Sequence, residues 1–191
     1  MKKLNLILIA GLGALMMQAC HNHDAKTTVT DSSVTTDVTK TDSTKIIVVD
    51  TGDANFAVKA AAGGMTEIAL SKVAEQQATS DKIKDFASMM VTDHSAAGDK
   101  LSAIAKAKNI ALPSGPDTVQ QNMINDISKK TGKDFDKAYV NQMVKDHQGT
   151  LDFFEKEENM VKDTTLKSFI TATIPVVQHH LAVIKTIKSG M

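Results

Sequence analysis

The segment Leu112-Pro-Ser-Gly-Pro116-Asp-Thr-Val-Gln-Gln-Asn-Met-Ile-Asn-Asp-Ile-Ser-Lys-Lys130-Thr-Gly132 decides how this chain folds. It opens on a chain break, Leu112 to Pro116, and its pattern predicts a short helix from Pro116 to about Lys130. Pro116 suits a first helical position, where a missing N–H costs nothing, and Gly132 closes the piece. On both sides apolar residues recur with a period near 3.6. The first long helix is expected from Ala54 to Ala78, and the second, started by Ser80 and Asp81, to about Lys108. Asp134 caps a third that reaches about Met160, and Asp163 and Thr164 begin a fourth that ends near Lys188.

Connection lengths convert this list into a topology. Very short turns join the first helix to the second and the third to the fourth, so each pair forms an antiparallel hairpin. The middle connection holds about two dozen residues, and a helix rising ~1.5 Å per residue carries the chain much of the way back along the bundle. The second and third helices then run parallel. The expected fold over residues 53–191 is therefore all-α, a ferritin-like four-helix bundle with one long crossover carrying a short extra helix.

The residues before the bundle read as an export signal and a tether. Lys2 and Lys3 precede an apolar stretch from Leu4 to Met17, too short to span a bilayer comfortably. Met17-Gln-Ala-Cys20 resembles a lipobox, with a small residue before the cysteine and Met17 a less usual choice. Residues 1–19 are expected to be a lipoprotein signal peptide and Cys20 the lipidated N-terminus, anchored without a transmembrane helix. Residues 20–52 are rich in Thr, Ser, Asp, Val and Lys without helical period, so they cannot offset ordering entropy and form a flexible spacer. Cys20 is the one cysteine, which excludes an intramolecular disulfide. The expected location is the cell envelope, lipid-anchored, at an outer membrane and facing the periplasm.

Charge and composition exclude several partners. Without Lys2 and Lys3 the 22 basic residues become 20 against 22 acidic, and arginine is absent, so no basic footprint or bidentate fork reads nucleic acid. Tryptophan is also absent and aromatics are few. There is no Gly-rich phosphate loop, Gly-x-Ser-x-Gly elbow, His-Glu-x-x-His pair or Cys-x-x-Cys motif. The balance is toward a protein that is not an enzyme, with membrane contact through its anchor and no protein partner named by the sequence.

One polar constellation stands out. Phe86-Ala-Ser-Met-Met90-Val-Thr-Asp93-His94 and Tyr139-Val-Asn-Gln-Met143-Val-Lys-Asp146-His147 share aromatic, three residues, Met-Val-x-Asp-His. Helical spacing puts His94, His147 and His180 on apolar stripes, and Glu67 on the stripe Phe56, Ala60, Gly63, Leu70, Ala74. His179 faces outward. Reflecting each hairpin through its turn brings Glu67, His94, His147 and His180 to one layer, with Met90 and Met143 alongside. Buried ionisable groups are costly unless paired or coordinated. The layer reads either as a site for one transition-metal ion, Fe, Cu or Zn, or as a hydrogen-bond network that fixes bundle register. Asp93 and Asp146, at the stripe edge, are read as carboxylates that orient ligands or as solvated residues.

Together with Phe135-Asp136-x-x-Tyr139-Val140 and Pro175 followed by His180-Leu181, the repeated phrase resembles a widespread bacterial family over about 55–187. Its members carry a domain of unknown function and are described as predicted outer-membrane or secreted proteins. The resemblance implies a ferritin-like fold and brings no activity. Di-iron ferritin sites need Glu-x-x-His. Here Val91, Val144 and Val177 stand three residues before the histidines, which argues against a di-iron oxidase or iron store. Pro175 within the fourth helix frees the Thr171 carbonyl and bends the helix. The function expected is that of an envelope lipoprotein with a binding or stress-related role. The alternative is a metal-binding or redox protein that uses the polar layer.

Overall fold

The computed structural model describes residues 49–191, so the signal peptide, Cys20 and all but the end of the tether lie outside the described residues. Five helices follow in order: α1 (Thr51–Gln77), α2 (Asp81–Ala107), α3 (Thr118–Ser128), α4 (Gly132–Met160) and α5 (Thr164–Ser189). No strand occurs among the described residues, and no helix there is long and apolar enough to cross a membrane.

Three boundaries differ from expectation, each for a capping reason. α1 starts at Thr51, inside the expected tether, because the Asp50 carboxylate accepts from the Gly52 N–H. The short helix starts at Thr118, after Pro116, because Asp117 and Gln120 close a capping box. Gly132 opens α4 instead of ending α3; its φ of +59° turns the chain into the new helix, and Asp134 falls in the first turn. α5 runs through Pro175 as one helix.

Two buried carboxylates set the register. Asp53, at the start of α1, accepts from the backbone N–H groups of Lys162 and Asp163 in the α4–α5 turn, at 2.9 and 2.8 Å. Asp136, at the start of α4, accepts from the Thr79 N–H (3.0 Å) and hydroxyl in the α1–α2 turn. Each helix therefore begins where the other ends, and α1 and α4 are antiparallel. Since α1 packs on α2 and α4, and α5 packs on the same two, α2 and α4 lie on one diagonal and run parallel. This is the ferritin-like arrangement that the crossover length predicts. α3 rests on α1 and α4 and buries Ile124 and Ile127.

The reciprocal carboxylates expose a repeat of the whole hairpin at a spacing of 83 residues. Asp53 matches Asp136, Phe56 matches Tyr139, and Ile83 matches Leu166, all six buried. α1 ends at Gln77 and α4 at Met160, again 83 apart. The next residues, Ala78 and Val161, have similar backbone angles and donate to carbonyls at matching positions, Ala74 and Glu157. The bundle is a pseudo-two-fold assembly of α1–α2 and α4–α5. Its apolar residues form two clusters, one around Phe86, Tyr139 and Ile184, the other around Phe56, Leu101 and Phe169.

Replacing Asp136 by Ala removes a buried carboxylate and the two hydrogen bonds it accepts from Thr79. Urea denaturation should show a loss of about 1–3 kcal/mol, and Asp53→Ala a loss of similar size.

Candidate metal centre

Each long helix places one polar side chain between the two apolar clusters. Glu67 follows Phe56 and precedes Leu70 on α1; His94 lies between Met90 and Leu101 on α2. His147 falls between Met143 and Phe154 on α4, and His180 between Val177 and Ile184 on α5. His147 and His180 are fully buried, Glu67 is 3 % exposed, and the His94 side chain retains 11 % exposure. His179 is exposed, as its flanking residues indicate.

The three imidazoles form a nearly equilateral triangle. Ring centroids are 5.7 Å apart for His94 and His147, 5.3 Å for His94 and His180, and 5.5 Å for His147 and His180. One nitrogen from each ring lies within 4.8 Å of one nitrogen from each of the others. Phe86 presents its edge or face to His147 and His180 at 6.2 and 6.3 Å and closes one side with apolar surface.

Two of the rings are held by a hydrogen bond at one nitrogen, and all three leave one nitrogen without a partner. His147 Nδ1 lies 2.8 Å from the Met143 carbonyl, which can only accept, so the proton sits on Nδ1 and Nε2 carries a lone pair. His180 Nε2 donates to Asp93 Oδ2 at 2.9 Å, which leaves Nδ1. His94 Nδ1 lies 3.2 Å from Glu67 Oε2 and leaves Nε2. The three remaining atoms, His94 Nε2, His147 Nε2 and His180 Nδ1, are buried with no hydrogen-bond partner. Carboxylates and a carbonyl behind imidazoles fix ring orientation and tautomer, as they do behind metal-bound histidines.

Glu67 takes a different place from that of a fourth ligand. Its carboxyl sits behind the rings, 3.2 Å from His94 Nδ1 and 3.6 Å from His147 Nδ1. Asp93 takes the orienting role on His180. Asp146 accepts from Gln142 at 2.7 Å and keeps Oδ2 buried without a partner. Met90 and Met143 are fully buried among the apolar residues around Phe86. The contribution of Met143 that the structure defines is its backbone carbonyl, a bond from residue i to i−4 that the spacing 143/147 already contains.

Burial makes every charge here expensive. Desolvation, aided by the negative charge of Asp146, raises Glu67 to about 8. Desolvation, followed by the neighbouring imidazoles, lowers His94 to about 3. His147 falls to about 4 through desolvation, opposed by its bond to Met143. His180 is lowered by desolvation, against the pull of Asp93. At neutral pH the triad is a set of uncharged imidazoles, the protonation state that ligates metals.

These shifts define a stability profile for chelator-treated protein. Below 6.5 the unfolded chain protonates histidines that the folded chain keeps neutral, so stability falls as pH drops toward 3. Between 4.5 and 8 the folded chain holds a proton on Glu67 that the unfolded chain has lost, so that contribution falls as pH rises. Two histidines outweigh one glutamate in the acid window, which places the maximum near 6.5. Melting temperatures measured from pH 4 to 9 should trace this peak, and Glu67→Gln should flatten its alkaline side.

No curated protein matches the chain. Among solved structures, a fragment described as DUF305 from Deinococcus radiodurans superposes with a TM-score of 0.67 at 7 % identity, covering 75 % of this chain and 99 % of that one. At that identity the likeness concerns the fold alone. The family model described as "Domain of unknown function (DUF4142)" matches residues 39–187. With most of its length matched, this chain belongs to the DUF4142 family.

Proposed function

We propose that this protein is a cell-envelope lipoprotein whose bundle binds one transition-metal ion through His94, His147 and His180. Two observations carry the reading: the three rings each offer a nitrogen within 4.8 Å of the others, and each ring has one buried nitrogen without a partner. A register-fixing network would satisfy those atoms. Here His147 and His180 each spend one nitrogen on a hydrogen bond, His94 Nδ1 sits 3.2 Å from Glu67, and all three rings keep one nitrogen in dry surroundings. Leaving three buried polar atoms unsatisfied costs several kcal/mol, at about 1–3 kcal/mol each. A bound cation removes that cost.

Donor chemistry narrows the ion. Nitrogen ligands suit Zn, Cu or Fe and disfavour Mg and Ca, which take oxygen. Metal–nitrogen bonds of about 2.0–2.1 Å bring tetrahedral ligands to about 3.4 Å from one another, so the rings draw together when the ion binds. Three protein ligands leave at least one position for water or an exogenous group. This reading turns the binding role expected of the envelope protein into metal binding. Redox chemistry follows only for iron or copper.

Full-length protein expressed with its own leader, without an affinity tag, and extracted from membranes should carry about one equivalent of metal, set by a single three-histidine site. A His147→Gln/His180→Gln double variant should lose it. Chelator should lower the melting temperature of the parent and leave that of the variant unchanged. Parent protein that is free of metal and insensitive to chelator overturns the proposal.

The anchor has its own test. Cys20→Ser should move the protein from the membrane fraction to the soluble periplasmic fraction and abolish labelling by a radioactive fatty acid. Parent protein that takes up no label, or a Cys20→Ser variant that still takes it up, excludes lipidation at Cys20.

A further inference from the structure

The three rings of the triad are not equally held. Hydrogen bonds tie His147 to the Met143 carbonyl and His180 to Asp93, and neither side chain has any exposed surface. The Asp93 side chain is 40 % exposed, so on that side a carboxylate stands between His180 and water. No hydrogen bond ties His94 among the described residues: its Nε2 has no partner, and Glu67 stands 3.2 Å from its Nδ1. His94 is also the ring that keeps some exposure, 11 % of its side chain.

That ring borders an open cleft of about 450 Å³ whose walls come mostly from α1 and α2. His94 lines the cleft, whereas His147 and His180 do not. Gly64 is the wall residue beside it: a Cβ built there would meet only His94 Nδ1, at 3.9 Å. Without a side chain at 64 the imidazole has room to turn toward the cleft. Ion binding demands a movement of this kind. One nitrogen of each ring lies within 4.8 Å of the others, and tetrahedral metal–nitrogen bonds bring ligands to about 3.4 Å from one another. His147 and His180 are tied from behind, so the closing movement falls to His94.

We infer that His94 is the mobile ligand of the site: it turns into the cleft to admit or release the ion, and returns to close the site over His147 and His180. This role rests on the metal-binding reading above and gives it a purpose. An ion that passes one turning side chain exchanges while the bundle stays folded, so the protein takes up and hands on a metal ion and does not keep a permanent structural one. Any other route must part the helices, because the two remaining ligands have no surface. Rotamer changes at a partly exposed side chain need no such opening and are fast.

The probe is Co²⁺, whose visible absorption reports ligation by nitrogen, followed by stopped flow on the full-length protein during loading and during transfer to EDTA. Gly64→Leu puts a side chain beside His94, while Gly149→Leu changes an exposed helical glycine outside the cleft. The expected result is loading and release at least about tenfold slower in Gly64→Leu, with unchanged stoichiometry, and parent rates in Gly149→Leu. Parent rates in a Gly64→Leu protein that still binds Co²⁺ overturn the gate alone. A parent protein that never takes up Co²⁺ overturns the metal-binding reading and the gate with it. If Gly64→Leu loses its helical circular dichroism or its Co²⁺, a second set decides. His94→Gly should regain the parent spectrum when imidazole is added, because the free ring enters by the cleft, whereas His147→Gly and His180→Gly should not. Equal rescue of all three variants, or of none, overturns the gate.

Discussion

Two carboxylates, Asp53 and Asp136, hold the arrangement on which the rest of the molecule depends. Each is nearly dry and takes two hydrogen bonds from the turn of the opposite hairpin. A buried carboxylate without those donors is costly, so the pairing tolerates little sliding of one hairpin along the other. That fixed register brings one polar residue from each long helix to a common depth. A slip of a single turn, about 5.4 Å, would move a histidine out of reach of the others.

At that depth the physics is dominated by desolvation. Four ionisable side chains sit in surroundings that disfavour their charged forms, and the pKa shifts run in the neutralising direction for each one, Glu67 upward and the histidines downward. The neutral imidazoles of His147 and His180, with tautomers fixed by their hydrogen bonds, each keep an unshared electron pair on a buried nitrogen. The Met143 carbonyl and Asp93 decide which nitrogen stays free on His147 and His180. The cluster is therefore prepared as a donor set, and its preparation comes from groups behind the rings.

The duplicated architecture carries two halves with different residues at their centres. Two hairpins with matching caps, turns and aromatic anchors build a symmetric frame, but the residues at its centre differ between the halves. Large polar side chains occupy one side, while Gly63, Gly64, Ala97 and Ala60 occupy the other. The frame is held by the apolar clusters at its ends, which leaves its middle free to diverge.

Helix positions, hairpin pairing, the parallel run of α2 and α4, and the inward direction of Glu67, His94, His147 and His180 were all legible in the sequence. Those properties are local: period, cap residues and connection length determine them without knowledge of distant contacts. The repeated Met-Val-x-Asp-His phrase has the same origin, since parallel helices in register present the same residues to one layer; Phe86 meets Tyr139, and His94 meets His147. The 83-residue repeat was not legible, because its positions match by burial, as Phe56 with Tyr139 and Ile83 with Leu166, seldom by identity. Tertiary structure alone decided which ring nitrogens remain free, that Glu67 stands behind the imidazoles, and that a cavity adjoins them. Hydrogen-bond direction and empty volume depend on ångström-scale distances between helices, and no one-dimensional spacing encodes those.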